Sequence, residues 1–184
     1  MSTAPSAGEP RLDKLNTPMP LTIRSRQKSH SADAWLLRRL AKWVLVETES
    51  GQVVKPVSHE LGVYLVGPAE MAKANGEYLQ HDGPTDVITF DYGAPGTAPK
   101  PGPILSDIFI CPSVAEEFAE EFKTSWEEEV ARYLIHGILH LRGYDDSAPG
   151  PCRTMKREEN RLMKLAAERF PLSSLTRQSK TAGG

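Results

Sequence analysis

Residues 125–143, SWEEEVARYLIHGILHLRG, constrain the fold more than any other stretch of this chain. Ser125 and Glu128 are spaced as a capping box, in which each side chain satisfies a backbone N–H that a starting helix leaves unpaired. Gly143 supplies a left-handed residue for the helix to stop on. Between these signals, Trp126, Val130, Tyr133, Leu134, Gly137, Ile138 and Leu141 recur at helical spacing as a core face. Ile135 and Leu139 add apolar groups on other sides. A helix that is apolar around much of its circumference has to be packed on several sides at once. The chain is therefore expected to build layers around a central helix.

The other elements read from the same kinds of signal. LTIRS (21–25), LGVYLV (61–66), VITFDY (87–92) and SDIFIC (106–111) are β-rich or apolar runs and predict four strands. Residues 32–47 carry Trp35, Leu36, Leu40, Trp43, Val44 and Leu45 at helical spacing, with Arg38, Arg39 and Lys42 opposite. Pro68 suits the start of a helix over AEMAKANGEYL. Ser113 with Glu116 suggests a further capping box, and a last helix is expected from about Arg153 to Arg169. The order β-α-β-α-β-β-α-α-α predicts an α+β fold, a small mixed sheet of about four strands packed with helices.

At 184 residues the chain fits one domain. Residues 1–20 and 172–184 are Pro-, Ser- and Gly-containing stretches without periodicity and are expected to be disordered tails flanking a domain over 21–171. No run approaches the length of a membrane span and no secretory leader is evident, so a cytoplasmic protein is expected. Cys111 and Cys152 are too few for a disulfide framework and are expected to be reduced, structural thiols. The net charge of −2 is unevenly spread: +3 over 1–60, −10 over 61–150 and +5 over 151–184. The acidic middle repels a polyanion while the two ends attract one. Arg24, Arg26, Lys28, Arg38, Arg39 and Lys42 form either a nucleic-acid face or a solvated helix side. His30 and His59 have no partner pattern and are expected at the surface.

The chemistry is concentrated in HGILHLRGYDD (136–146). Residues four apart on a helix lie about 40° apart around the axis and about 6 Å along it, so His136 and His140 project from one face. Two imidazoles so placed can converge on one ion, and Gly143 lets Asp145 or Asp146 fold back as a third ligand. Catalytic zinc commonly takes three protein ligands plus water. The competing reading is two hydrogen-bonded core histidines.

The same stretch resembles the YbeY family signature H-G-x-L-H-L-x-G-Y-D-H, departing only at the last position. NGEYLQHDGPTDVITF (75–90) resembles the family's N-x-x-Y-R followed by P-T-D-V-L-S-F, and SDIFIC resembles G-D-I-x-I-C. The blocks keep their order and spacing over roughly residues 20–170. The resemblance implies a bacterial, zinc-dependent, single-strand-specific endoribonuclease, with one Zn2+ per chain. Its implied partners are ribosomal RNA and the small ribosomal subunit, in rRNA maturation and ribosome quality control.

Two departures stand out against that family. Asp146 replaces the third ligand histidine; it is an acceptable oxygen ligand, shorter and negatively charged, and should leave a bound water less acidic. Leu79 replaces an arginine whose planar fork suits a phosphate. Arg142, Arg132 or His81 is the expected substitute, and Arg142 is taken as catalytic together with Asp86. Asp86 either accepts a proton or caps the loop before the VITFDY strand. Asp107 is expected to serve the structure. The spacing also fits a metalloprotease, but such enzymes need Glu after the first His, where Gly137 stands. A relative that keeps the ribosome and has lost catalysis is the non-enzymatic alternative.

Overall fold

The computed structural model describes residues 20–49, 59–93 and 102–176. Strands β1 (Leu21–Ser25), β2 (Glu60–Leu65), β3 (Val87–Asp91) and β4 (Leu105–Ile110) form one sheet in the order β1-β2-β4-β3. The first two and β4 run parallel, and β3 pairs antiparallel with β4. The helices are α1 (Ala34–Glu47), α2 (Pro68–Ala74), α3 (Pro112–Phe122), α4 (Trp126–Leu141) and α5 (Pro149–Arg169). This is the expected α+β arrangement with a mixed four-stranded sheet.

The centre of the molecule is α4, in contact with β3, β4, α1, α3 and α5. Val130, Ala131, Leu134, Ile135, Ile138 and Leu139 are all buried, so most of the helix circumference is covered, while the row of Arg132, His136 and His140 stays half-buried. Both bonds of the expected capping box form: Glu128 N–H donates to Ser125 Oγ at 3.2 Å and Ser125 N–H to Glu128 Oε2 at 3.1 Å. The chain reverses at Gly143, whose φ is +86°. Gly137 sets the distance to the sheet. A Cβ there would lie 3.0 Å from Ile108 Cδ1 and 3.1 Å from Thr89 Oγ1, so a larger residue would push those side chains aside by a few tenths of an ångström.

Several boundaries differ from expectation for identifiable reasons. Helix α3 begins at Pro112, with Cys111 at its cap, and the Ser113–Glu116 box is not used. Proline is favoured at a first helical position because the N–H it lacks has no partner there. Glu116 instead pairs with His30 Nε2 at 3.2 Å. Helix α5 starts at Pro149, a turn ahead of Arg153, for the same reason. The helix expected over 69–79 winds its last residues, Asn75–Leu79, as a single π turn closed by Gln80 at φ +57°. Buried Asn75 donates to Gly83 O at 2.9 Å and so draws the following loop back toward β3.

The tail expected from residue 172 is corrected as far as Thr176. Leu172–Leu175 form a 3-10 turn with both leucines buried, and Thr176 bridges Ala32 and donates to Glu127. The remaining expected tail residues, 1–19 and 177–184, and most of the Gly/Pro loop, 94–101, lie outside the described residues. The two histidines expected at the surface are not there. His59 is 1% exposed and accepts from Ile104 N–H at 3.1 Å through Nδ1. His30 packs its ring edge-on against Trp126. No helix among the described residues is long and apolar enough to cross a membrane.

Candidate metal centre

His136 and His140 point from one face of α4 and bring their Nε2 atoms to 3.0 Å. The turn at Gly143 returns Asp146, whose Oδ2 stands 3.6 Å from His136 Nε2 and 3.7 Å from His140 Nε2. An ion bound at about 2 Å with tetrahedral angles holds its ligand atoms about 3.3 Å apart. The three separations bracket that value. The competing third ligand is turned elsewhere: Asp145 takes Ser147 N–H at 3.0 Å and Ser147 Oγ at 2.6 Å, bonds that also hold its carboxyl below the usual range.

What fixes the imidazoles lies behind them. His136 Nδ1 is 2.9 Å from Glu159 Oε2, and His140 Nδ1 is 3.1 Å from the Tyr144 carbonyl. Both acceptors favour a ring hydrogen on Nδ1, the tautomer in which each Nε2 can ligate an ion. Two imidazole lone pairs and a carboxylate oxygen thus converge on one point. The three groups could hold a metal ion, and an N,N,O donor set is one that zinc takes.

Glu159 was not singled out from the sequence, although a signal existed. It shares the buried stripe of α5 with Met155, Leu162 and Ala166, where a carboxylate has no place unless it is paired. Burial pushes its pKa up, but hydrogen bonds from His136 and Arg132 outweigh this and hold it at about 2. Arg132 donates to Glu159 Oε1 at 2.7 Å and to Asn160 Oδ1 at 3.2 Å. Arg132 therefore stands in the row of His136 and His140, one turn earlier on α4.

Arg142, expected to clamp phosphate, is sealed in the core at 1% exposure. Its guanidinium donates to Leu45 O at 2.9 Å, Gly102 O at 3.0 Å and Thr48 Oγ1 at 3.2 Å, which closes the end of α1. Its role is structural, and the catalytic expectation is corrected. Asp86 does cap its loop: Oδ1 accepts from Thr85 Oγ1 and Val87 N–H, each at 2.9 Å. It also lines a cleft of about 210 Å3 that His136 borders. Asp107 accepts from Tyr92 OH at 3.0 Å, as a structural residue would. Cys111 is buried and Cys152 exposed, and both are free.

The family model described as Endoribonuclease YbeY matches residues 22–167. The chain belongs to the YbeY family. A relative from Thermobifida fusca, named Endoribonuclease YbeY, is 39% identical over 137 residues, covering 72% of this chain and 84% of its own length. One from Salinibacter ruber is 33% identical over 150 residues, covering 79% and 91%. One from Chlorobium luteolum is 41% identical over 107 residues, covering 58% and 74%. A solution structure from Thermotoga maritima is 25% identical, with a TM-score of 0.49 over 89% of this chain and 99% of that one.

Within the YbeY framework, the structure accounts for several signature positions. Asn75 of the N-x-x-Y block is a loop anchor, and Gly137 after the first histidine is the contact point between α4 and the sheet. With glycine at 137, its Cα against Ile108 and Thr89 of the sheet, the chain lacks the general base that the protease reading needs. Leu79, where the family carries arginine, ends the π turn half-exposed and offers no charge.

Proposed function

We propose that this chain is a zinc-dependent endoribonuclease that cuts single-stranded RNA. It would act in maturation of small-subunit ribosomal RNA and in ribosome quality control, in the cytoplasm. The convergence of two Nε2 lone pairs and the Asp146 carboxylate on one point carries this reading, together with membership of a family whose relatives bear the name endoribonuclease. His136, His140 and Asp146 would hold the ion, and Glu159 and the Tyr144 carbonyl would keep both rings turned toward it. When bound, zinc supplies Lewis acidity toward a phosphoryl oxygen and an acidified water. Arg132 stands beside His136 as a cation for charge developing on phosphorus. Asp86 borders the same cleft as the proposed proton acceptor, its Oδ1 fixed by two donors.

The test is zinc stoichiometry of the purified protein together with cleavage of a single-stranded RNA, beside His136→Ala. One zinc per chain and cleavage that disappears in the variant is the expected result. Leu79 and the anionic ligand Asp146 favour one rival, a ribosome-associated relative without catalysis. Zinc without cleavage would establish that rival.

A further inference from the structure

We propose that the cleft between α3, α4 and α5 is a subsite for one unpaired nucleotide adjoining the scissile phosphate, with its base stacked on Phe122 and its own phosphate held by Lys156. The proposal rests on the nuclease reading above and adds the origin of its single-strand preference. The cleft encloses about 210 Å3 and shares His136 with the metal centre, so a strand whose phosphate lies at the ion passes directly over it. That volume is of the order of one nucleobase, and an unpaired base is free to leave its strand and lie on an aromatic side chain.

Its two walls have complementary chemistry. On α3, Phe118 and Phe122 stack with ring centroids 5.9 Å apart and planes 11° from parallel. The helix already buries Val114, Ala115 and Ala119, yet Phe122 is 60% exposed. An exposed flat ring beside a nucleic-acid cutting site is the platform on which an unpaired base stacks, whatever its sequence. The carboxylates of the cleft, Asp86, Glu129 and Glu159, all accept hydrogen bonds from the protein itself, Asp86 from Thr85 Oγ1 and Val87 N–H. Glu129 accepts from Thr124 Oγ1 at 2.7 Å, and Glu159 is taken by Arg132 and His136. Lys156 is the loosely held cation: its side chain is 63% exposed, and Nζ stands 3.5 Å from Glu159 Oε1. A flexible ammonium lining the same cleft as an exposed ring can take the phosphate of a nucleotide whose base lies on that ring.

The experiment uses the full zinc-loaded chain with a fluorescein-labelled single-stranded RNA and a set of copies each carrying one abasic residue. Affinity is read by anisotropy and cleavage by gel, for wild type, Phe122→Ala, Phe122→Tyr and Lys156→Ala. Zinc content and Tm serve as controls for folding. Phe122→Ala should lose roughly 5- to 150-fold in affinity and kcat/KM, the span of base–aromatic stacking, and Phe122→Tyr should restore it. One abasic position beside the cut should cost wild type that same factor and cost Phe122→Ala nothing. Lys156→Ala should weaken binding and flatten its salt dependence. If Phe122→Ala binds and cleaves like wild type, or the abasic penalty persists in it, the subsite is overturned while the nuclease stands, and the stacked rings belong to a protein contact. A wild type that neither binds nor cleaves RNA overturns both.

Discussion

Glu159→Gln tests whether the metal centre depends on the carboxylate behind it. The change keeps size and removes one charge. At a pKa of about 2 the native group is a carboxylate at any working pH, so the loss is real. A glutamine can offer its oxygen either to His136 Nδ1 or to Arg132 Nη1, and its NH2 must then face the other donor. One of two buried bonds is therefore replaced by opposed donors. Loss of such an outer partner costs about 10- to 100-fold in metal affinity, or roughly 1.4–2.7 kcal/mol. Because a ligand bound only by the folded state stabilises it by mass action, the zinc-dependent rise in Tm should shrink by about 3–11 °C for a chain of this size. The assay is chelator competition for the zinc Kd, with thermal melts of metal-free and metal-loaded protein in parallel. The metal-free form will itself soften, since Arg132 loses its anion; the informative quantity is the increment that zinc adds. An unchanged Kd with an unchanged increment would refute the tautomer argument on which the site is built.

Three further perturbations separate structure from site. Arg142→Met should lower stability by about 2–4 kcal/mol, because the Leu45 and Gly102 carbonyls lose a charged donor, while zinc affinity stays the same; lost zinc with intact stability would contradict the structural role. His59 is held neutral, its pKa lowered to about 4 by burial and then by the Arg142 charge, with the Glu49 carboxylate 4.0 Å from Nε2. The unfolded chain takes up this proton near pH 6.5, so stability present above that pH is lost as pH falls toward 4, by about 3 kcal/mol. His59→Asn, which keeps an acceptor for Ile104 N–H, should show a flatter dependence in urea melts at pH 7, 5.5 and 4.5; parallel curves would count against it. Asp146→His exchanges an anionic ligand for a neutral one and should move the acidic limb of the pH–rate profile to lower pH, whereas Asp145→Ala, whose carboxylate serves Ser147, should leave zinc stoichiometry at one.

The sheet, the five helices and the reversal at Gly143 were legible because each rests on local chemistry: apolar and β-rich runs, a capping box, a glycine with positive φ. The failures share a different cause. The start of α3 at Pro112 was missed because a proline and a serine one residue apart both signal a helix N-terminus, and the proline's fixed φ decided the contest. The burial of His59 and the docking of Leu172 and Leu175 depend on contacts across the fold, His59 with Ile104 and the Ala32–Thr176 bridge, for which no local pattern exists.

Arg142 is the more instructive miss, because the information that excludes it was present. A residue two positions beyond His140 on a helix lies about 200° around the axis, on the side away from the histidines. Nearness in sequence made it a candidate, and helical phase sends its guanidinium to the carbonyls at the end of α1 instead. The same phase points to Arg132, which precedes His136 by the four residues that separate His136 from His140, and so lies in register with both. The Glu159 carboxylate then follows from α5: a charged residue on that helix's apolar stripe must face a donor on α4, and the donors there are Arg132 and His136. Read by phase, Arg132, His136 and His140 form one line along α4, with the Glu159 carboxylate of α5 behind it. A row of this kind holds an ion only if its rings are locked, which is why the carboxylate behind His136, and not a second arginine, is the group on which metal affinity should depend.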